Sequence, residues 1–177
     1  MRPIFLIGYM GSGKSALGRA LNRLTGLDVI DLDMYIERRF HKSISQIFAE
    51  RGESGFRSIE TAMLDEVSKF EDVIVACGGG TPCFGQNMEL MNSQGVTVWL
   101  NTPVDTIHRR LCRAKSKRPL IAHMTDEELF DYVSTSIEAR RPHYSQAQVE
   151  LTYSPTETGI DANASALQLL QLINMQP

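Results

Sequence analysis

The 177-residue chain has little cysteine, no long apolar run and no excess of positive charge. Its three cysteines, Cys77, Cys83 and Cys112, are odd in number and lack C-x-x-C spacing. A structural zinc site or a disulfide framework is therefore not expected, and a reducing cytosol fits. No apolar run approaches about 18 residues and no cationic-then-apolar leader occurs, so neither membrane spanning nor export is indicated. The net charge of −3 argues against a nucleic-acid partner.

Internal repeats, low-complexity tracts and Pro/Gly/Ser-rich linkers are also missing from the sequence. A chain of 177 residues suits one domain with a proper core and is too short for two large ones. The hydrophobic content of 42 % and the charged content of 22 % are ordinary for a globular protein. We therefore predict a single cytoplasmic domain over residues 1–177, and a monomer as the simplest state for this size.

The most informative segment is residues 8–15, GYMGSGKS, which fits the phosphate-binding pattern G-x-x-x-x-G-K-[ST]. An apolar run at residues 3–7 precedes it, and a leucine stripe with helical spacing follows it. A strand, a glycine turn and a helix N-terminus aim backbone N–H groups at a polyphosphate. We predict that Lys14 reaches the β- and γ-phosphates and that the Ser15 hydroxyl binds Mg²⁺. The predicted nucleotide-binding residues here are Gly11, Ser12, Gly13, Lys14, Ser15 and Ala16.

Short apolar runs alternate with helical patterns along the rest of the chain. Predicted strands lie at residues 3–7, 28–31, 73–77, 96–100 and 148–152, and their Val/Ile content is typical of strands covered on both faces. Capping patterns predict helices that begin at Ser43, at Thr102-Pro103 and at Thr125, and a last helix is predicted at 159–173. This alternation predicts an α/β fold with a parallel sheet, whose ligands bind at the carboxyl ends of the strands.

Informative residues follow the second and third predicted strands. In the extended segment Asp31-Leu32-Asp33, both carboxylates point to the same side. They could hold Mg²⁺ and orient an attacking hydroxyl, or Asp33 could cap the next helix. The triplet Gly78-Gly79-Gly80 indicates a close backbone approach, either to a ligand or to a neighbouring loop.

Arginines supply the predicted contacts to anions. Arg57 follows Phe56 at the predicted start of a helix, where the helix dipole disfavours a cation. This placement favours a bidentate grip on an anion over a solvated surface arginine. The cationic run from Arg109 to Arg118 is either a lid that closes on the triphosphate or a solvated helix end.

Taken together, these motifs resemble those of the shikimate kinases, small P-loop kinases of the nucleoside-monophosphate-kinase-like group. The resemblance extends from the phosphate loop to about residue 153. The phosphate loop is common to many NTPases, whereas the other elements in this order are much more specific. The matching elements are residues 8–15, Asp31-x-Asp33, Gly52-Glu53-x-x-Phe56-Arg57-x-x-Glu60, Gly78-Gly79-Gly80, Arg118-Pro119-Leu120 and Arg140-x-Pro142-x-Tyr144.

The resemblance implies ATP-dependent phosphorylation of the 3-hydroxyl of shikimate, a step of aromatic amino-acid biosynthesis. It also implies a three-layer P-loop fold with a five-stranded parallel sheet in the order 2-3-1-4-5. Catalysis is assigned to Lys14, Asp33 and Arg118, with Arg118 also contacting the nucleotide from a mobile lid at residues 113–124. Mg²⁺ is assigned to Ser15 and Asp31. The shikimate residues, partly within a substrate-binding segment at 33–61, are Asp33, Arg57, Gly79, Gly80 and Arg140; Arg57 and Arg140 grip the carboxylate.

Four other kinds of protein share part of this pattern. A gluconate kinase would also bind a carboxylated polyol, and only the motif set speaks against it; a nucleotide kinase fits the Phe56-Arg57 pair less well. A GTPase switch is disfavoured because the Asn-Lys-x-Asp element that reads guanine is missing. An inactive nucleotide sensor is disfavoured because the predicted catalytic residues are all present.

Overall fold

The structure of the protein is a computed structural model that describes residues 1–115, 120–152 and 161–174. Within these ranges, five parallel strands form one sheet in the order β2-β3-β1-β4-β5. The predicted fold class and strand order are confirmed. Each strand begins and ends within one residue of the predicted position. The strands are β1 (Ile4–Ile7), β2 (Asp28–Asp31), β3 (Val73–Ala76), β4 (Val96–Asn101) and β5 (Val149–Thr152).

Helices connect the strands, as the short parallel strands require. None of the helices in the described part of the chain is both long enough and apolar enough to cross a membrane. The helices are α1 (Lys14–Thr25), α2 (Leu32–Phe40), α3 (Ile44–Val67), α4 (Asn87–Gln94), α5 (Val104–Ala114), α6 (Asp126–Tyr144) and α7 (Ala162–Leu172), with a 3-10 helix at Thr81–Cys83.

Alternate residues of the central strands build two separate cores, one on each face of the sheet. Phe5 and Ile7 of β1 face a core shared with α2, α3 and α4. Ile4 and Leu6 face the other core, which α1 and α7 complete. All four side chains are essentially inaccessible to solvent. The molecule therefore has three layers. The central strands β1, β3 and β4 are covered on both faces, as their apolar sequences predicted, whereas the edge strands β2 and β5 are partly exposed.

Two of the three helix starts are confirmed and one is wrong. Ser43 and Thr125 each form a complete capping box, at the start of α3 and α6 respectively. At the third site, Pro103 is the N-cap of α5, and Thr102 lies before the helix. Thr102 Oγ1 instead donates a hydrogen bond of 2.9 Å to the carbonyl of Ser12. The last helix begins at Ala162, and residues 159–160 of its predicted range lie outside the described residues.

Candidate active site

The chain leaves β1 through a glycine-rich loop and enters α1 at Lys14. Gly8, Gly11 and Gly13 have φ angles of 141°, 79° and 109°. Other residues rarely adopt these values, so the loop requires glycine at these positions. Gly13 is the N-cap of α1, and no side chain caps the helix there. A helix N-terminus built in this way is suited to bind phosphate.

The side chains of Lys14 and Thr102 donate hydrogen bonds to carbonyl groups of this loop. Lys14 Nζ donates to the carbonyls of Gly8 and Tyr9 at 2.8 and 2.9 Å. Ser12, one of the predicted nucleotide-binding residues, is fully buried, and its carbonyl accepts the bond from Thr102. The Lys14 ammonium thus lies at the start of α1, where it would add a full positive charge to the helix end.

The predicted carboxylate pair lies at the junction of β2 and α2. Asp31 is the N-cap of α2, and its Oδ1 accepts a hydrogen bond of 3.1 Å from the Met34 amide. The alternative that Asp33 caps this helix is therefore wrong, because Asp33 lies within its first turn. Burial, with the nearby carboxylates of Asp31 and Glu60, raises the pKa of Asp33 to about 6, whereas Lys14 opposes the shift.

Oxygen ligands suited to magnesium meet beside the phosphate loop. The Ser15 hydroxyl and the Asp31 carboxylate line the same cleft, and hard oxygen atoms are the ligands that Mg²⁺ prefers. No group of three or more His, Cys, Asp or Glu residues able to hold a metal occurs within the described ranges. Mg²⁺ commonly takes one or two protein ligands and completes its shell with phosphates and water.

The phosphate loop and the carboxylates enclose a cleft of about 500 Å³. Arg110 of α5 also lines the cleft, and its Nη1 donates a hydrogen bond of 2.7 Å to the Gly11 carbonyl. The cleft thus brings together cations for phosphate and carboxylates for a cation or a hydroxyl. The predicted site residues that line it are Gly11, Gly13, Lys14, Ser15, Ala16, Asp31, Asp33 and Gly79.

The glycine triplet after β3 is the point at which the site residues converge. A Cβ atom on Gly78 would stand 3.2 Å from Asp33 Oδ1, and one on Gly79 would stand 3.4 Å from Arg140 Nη1. On Gly80 it would stand 2.7 Å from Arg57 Nη2. Gly78 and Gly79 therefore leave room for the neighbouring groups, and Gly80 allows a contact that a side chain would block. The backbone of the triplet thus closely approaches predicted site residues of three helices, α2, α3 and α6, and the predicted close approach is to these residues.

Arg57 lies inside α3 and not at its first turn, five residues after a kink at Gly52. Its Nη1 donates to Glu60 Oε2 at 2.7 Å, and its guanidinium carbon lies 3.9 Å from the centroid of the Phe84 ring. Glu60 is 1 % exposed, and its Oε1 accepts a bond of 2.6 Å from Thr81 Oγ1. Arg57 is thus held in one orientation by a buried carboxylate, although it lines an adjoining groove and not the phosphate cleft.

Arg140 reaches the glycine triplet from the other side. It lies near the end of α6, with its guanidinium carbon 5.1 Å from the centroid of the Tyr9 ring. Four residues later, the Tyr144 hydroxyl donates to the Gly79 carbonyl at 2.6 Å. Arg57 and Arg140 therefore flank the triplet, one against Gly80 and the other against Gly79.

Four residues of the predicted lid, 116–119, lie outside the described residues, and the rest of the lid borders this gap. Arg118 falls in the gap between residues 115 and 120, so the structure does not place it. The helix α5 ends at Ala114, inside the predicted range 113–124. The lid and the role of Arg118 stay predictions from the sequence.

Sequence reasoning gave no role to three residues that the structure places at the site, and it considered a fourth, Arg110, only as part of the cationic run 109–118. Glu60 and Thr81 orient Arg57, Tyr144 binds Gly79, and Arg110 contacts the phosphate loop. The three-residue spacing of Arg57 and Glu60 on a helix was a usable signal for an ion pair. The other contacts join residues far apart in sequence, and no local pattern indicates them.

The chain is similar in sequence and in fold to known proteins. The family model described as shikimate kinase matches residues 10–173. A shikimate kinase of Phocaeicola vulgatus is 54 % identical over 148 residues, which cover 84 % of this chain and 85 % of that protein. A crystal structure of shikimate kinase from Bacteroides thetaiotaomicron superposes with a TM-score of 0.91 at 44 % identity, covering 98 % and 99 % of the two chains. A shikimate kinase from Acinetobacter baumannii in complex with shikimate gives a TM-score of 0.84 at 33 % identity, covering 98 % and 93 %.

Proposed function

The chain belongs to the shikimate kinase family, and from this premise we propose which residues perform each part of the ATP-dependent phosphorylation of shikimate. The enzyme transfers the γ-phosphoryl group of ATP to the 3-hydroxyl of shikimate, a step of aromatic amino-acid biosynthesis. The observation that carries the assignment is the glycine triplet, which lies against both arginines and also lines the phosphate cleft.

The phosphate loop binds the triphosphate through the N-terminus of α1 and the Lys14 ammonium. Because Lys14 Nζ is bonded to loop carbonyls, it changes partners or shares them when the β- and γ-phosphates arrive. Ser15 and Asp31 would hold Mg²⁺, and the ion would neutralise part of the negative charge of the triphosphate. Arg110 contributes a further cation on the α5 side of the cleft.

Arg57 and Arg140 bind the carboxylate of shikimate. The two guanidinium groups flank Gly79 and Gly80, and planar guanidinium groups match a carboxylate with paired hydrogen bonds. Asp33 lies beside Gly78 and in the phosphate cleft, so it can accept a hydrogen bond from the 3-hydroxyl while that oxygen faces the γ-phosphate.

Catalysis by this arrangement is mainly alignment and charge stabilisation. The transition state of phosphoryl transfer is loose, with negative charge spread over the transferred group. We assign the stabilisation of that charge to Lys14 and Arg118, to which a bound Mg²⁺ would add positive charge, and a strong general base is not required. We therefore assign Asp33 chiefly to orienting the hydroxyl.

ADP release from Mg·ATP tests the function directly, with shikimate, gluconate and nucleoside monophosphates as acceptors. We expect turnover with shikimate alone. Turnover only with another acceptor would contradict the pocket assignment, and ATP binding without turnover on any acceptor would favour a nucleotide sensor. A single elution volume at monomer mass in size-exclusion chromatography would support the proposed monomeric state. The cytoplasmic location and the absence of nucleic-acid and membrane partners are part of the same proposal.

A further inference from the structure

Tyr144 is a buried residue with a polar group that the proposed chemistry does not use. It is the last residue of α6 and is 1 % exposed. Burying a phenol costs free energy unless the hydroxyl is hydrogen-bonded. Here the hydroxyl donates to the carbonyl of Gly79 at 2.6 Å. The bond joins residues 65 positions apart and ties the end of α6 to the glycine triplet.

The guanidinium of Arg140 lies one helical turn earlier and against the same glycine, since a Cβ atom on Gly79 would stand 3.4 Å from its Nη1. Burial raises the pKa of the Tyr144 phenol, and the nearby positive charge of Arg140 opposes that rise. A tyrosine hydroxyl can donate one hydrogen bond and accept others. The bond to Gly79 uses the donor capacity, and the oxygen can still accept a hydrogen bond from Arg140. The Tyr144 hydroxyl is thus bonded to the glycine against which Arg140 lies.

The Tyr144 ring itself cannot shift easily. Its centroid lies 5.9 Å from that of Trp99 on β4, and Trp99 is 4 % exposed. Close-packed aromatic rings hold each other in place because neighbouring atoms leave no free volume. The packed ring therefore holds the hydroxyl in one place, next to Gly79 of the proposed shikimate site.

We propose that Tyr144 is a positioning residue for the phosphoryl acceptor, whose hydroxyl sets the distance between Arg140 and Gly79 and so the grip on the substrate carboxylate. The inference rests on the proposed function. Tyr144 does not touch shikimate or ATP, and it acts through Arg140. A hydroxyl that served only the fold would change stability and leave the relative affinities for the two substrates unaltered.

The test is Tyr144→Phe, which removes one oxygen atom and keeps the ring against Trp99. Loss of the bond to Gly79 would let Arg140 and the triplet move apart, and a weakened charge-assisted bond to the carboxylate predicts a rise of about tenfold in the KM for shikimate, with kcat and the KM for ATP within about twofold of wild type. Tyr132→Phe, the same substitution on the same helix, is the control and should leave all three constants unchanged. Trp99 is the sole tryptophan, so quenching of its fluorescence gives the shikimate Kd without ATP, and it should rise in parallel.

A double-mutant cycle decides whether the hydroxyl acts through the arginine. In an Arg140→Ala background, Tyr144→Phe should change the shikimate Kd by less than about twofold. The full tenfold effect in that background, or equal rises in the KM for shikimate and for ATP, would overturn the proposal. So would a Tyr144→Phe protein that does not fold. Wild-type protein inactive on shikimate would overturn the proposed function too, whereas normal kinetics of Tyr144→Phe would overturn this inference alone.

Discussion

The guanidinium of Arg57 lies directly on Gly80, where a Cβ atom would stand 2.7 Å from Nη2 and 3.0 Å from Nη1. The backbone of Gly80 has φ −91° and ψ −18°, a conformation that any residue adopts. Glycine is therefore required at this position for the space it leaves and not for its conformational freedom. Three contacts therefore orient the Arg57 guanidinium: it packs against Gly80, stacks on the Phe84 ring and is bonded to Glu60.

Gly80→Ala tests this relationship. The new methyl group would push the Arg57 guanidinium away, and we expect the KM for shikimate to rise about tenfold with little change in the KM for ATP. Steady-state kinetics with each substrate varied in turn gives both constants. The matched comparison is the same substitution in an Arg57→Ala protein, where it should have no further effect on the KM for shikimate. An equal effect in both backgrounds would show that Gly80 acts independently of Arg57.

Arg57→Ala tests the grip on the carboxylate more directly. Loss of charge-assisted hydrogen bonds predicts a rise in the KM for shikimate of about tenfold to a hundredfold, with unaltered ATP affinity. Arg23→Ala is the control, because Arg23 is an exposed residue of α1 that contacts Asn163. A large loss of ATP affinity in Arg57→Ala would count against the assignment.

Thr81→Val tests the buried support of Arg57. Thr81 and Glu60 are 0 % and 1 % exposed, and the bond between them is 2.6 Å long. Valine has nearly the same shape but leaves Glu60 Oε1 without this donor, so we expect a loss of about 1–3 kcal/mol in the free energy of unfolding. Urea denaturation measures it. Thr152→Val, at an exposed position of the edge strand β5, should change stability by less than about 0.5 kcal/mol. Equal stability of the two variants would contradict a structural role for the hydroxyl.

The sheet was predictable because its central strands β1, β3 and β4 are covered on both faces and their sequences are short, largely apolar runs. Residues 73–77 show this, since β3 spans Val73–Ala76 and all four residues are buried. Helix starts were predictable where a hydroxyl residue and a Glu or Gln lie three apart, as at Ser43 and Thr125. The prediction that Thr102 caps α5 was wrong because its hydroxyl donates a hydrogen bond to the Ser12 carbonyl and does not cap the helix.

The candidate site was predictable only as far as its motifs are local. The phosphate loop and the Asp31–Asp33 pair each occupy a few consecutive residues, and the cleft contains both. The support of the acceptor site depends on contacts across the fold, between Glu60 and Thr81 and between Gly79 and Tyr144. A sequence pattern carries no record of such pairs, because any buried acceptor could satisfy either hydroxyl.

Arg118→Ala tests the one catalytic assignment that comes from the sequence alone. A lid arginine that stabilises charge on the transferred phosphoryl group acts in the transition state, so its loss should lower kcat by about 10³-fold or more. The Kd for ATP, measured by isothermal titration calorimetry without shikimate, should change far less. Lys117→Ala removes a neighbouring cation and serves as the control for general loss of positive charge. Comparable losses of kcat and of ATP affinity in Arg118→Ala would place this arginine in nucleotide binding and not in catalysis.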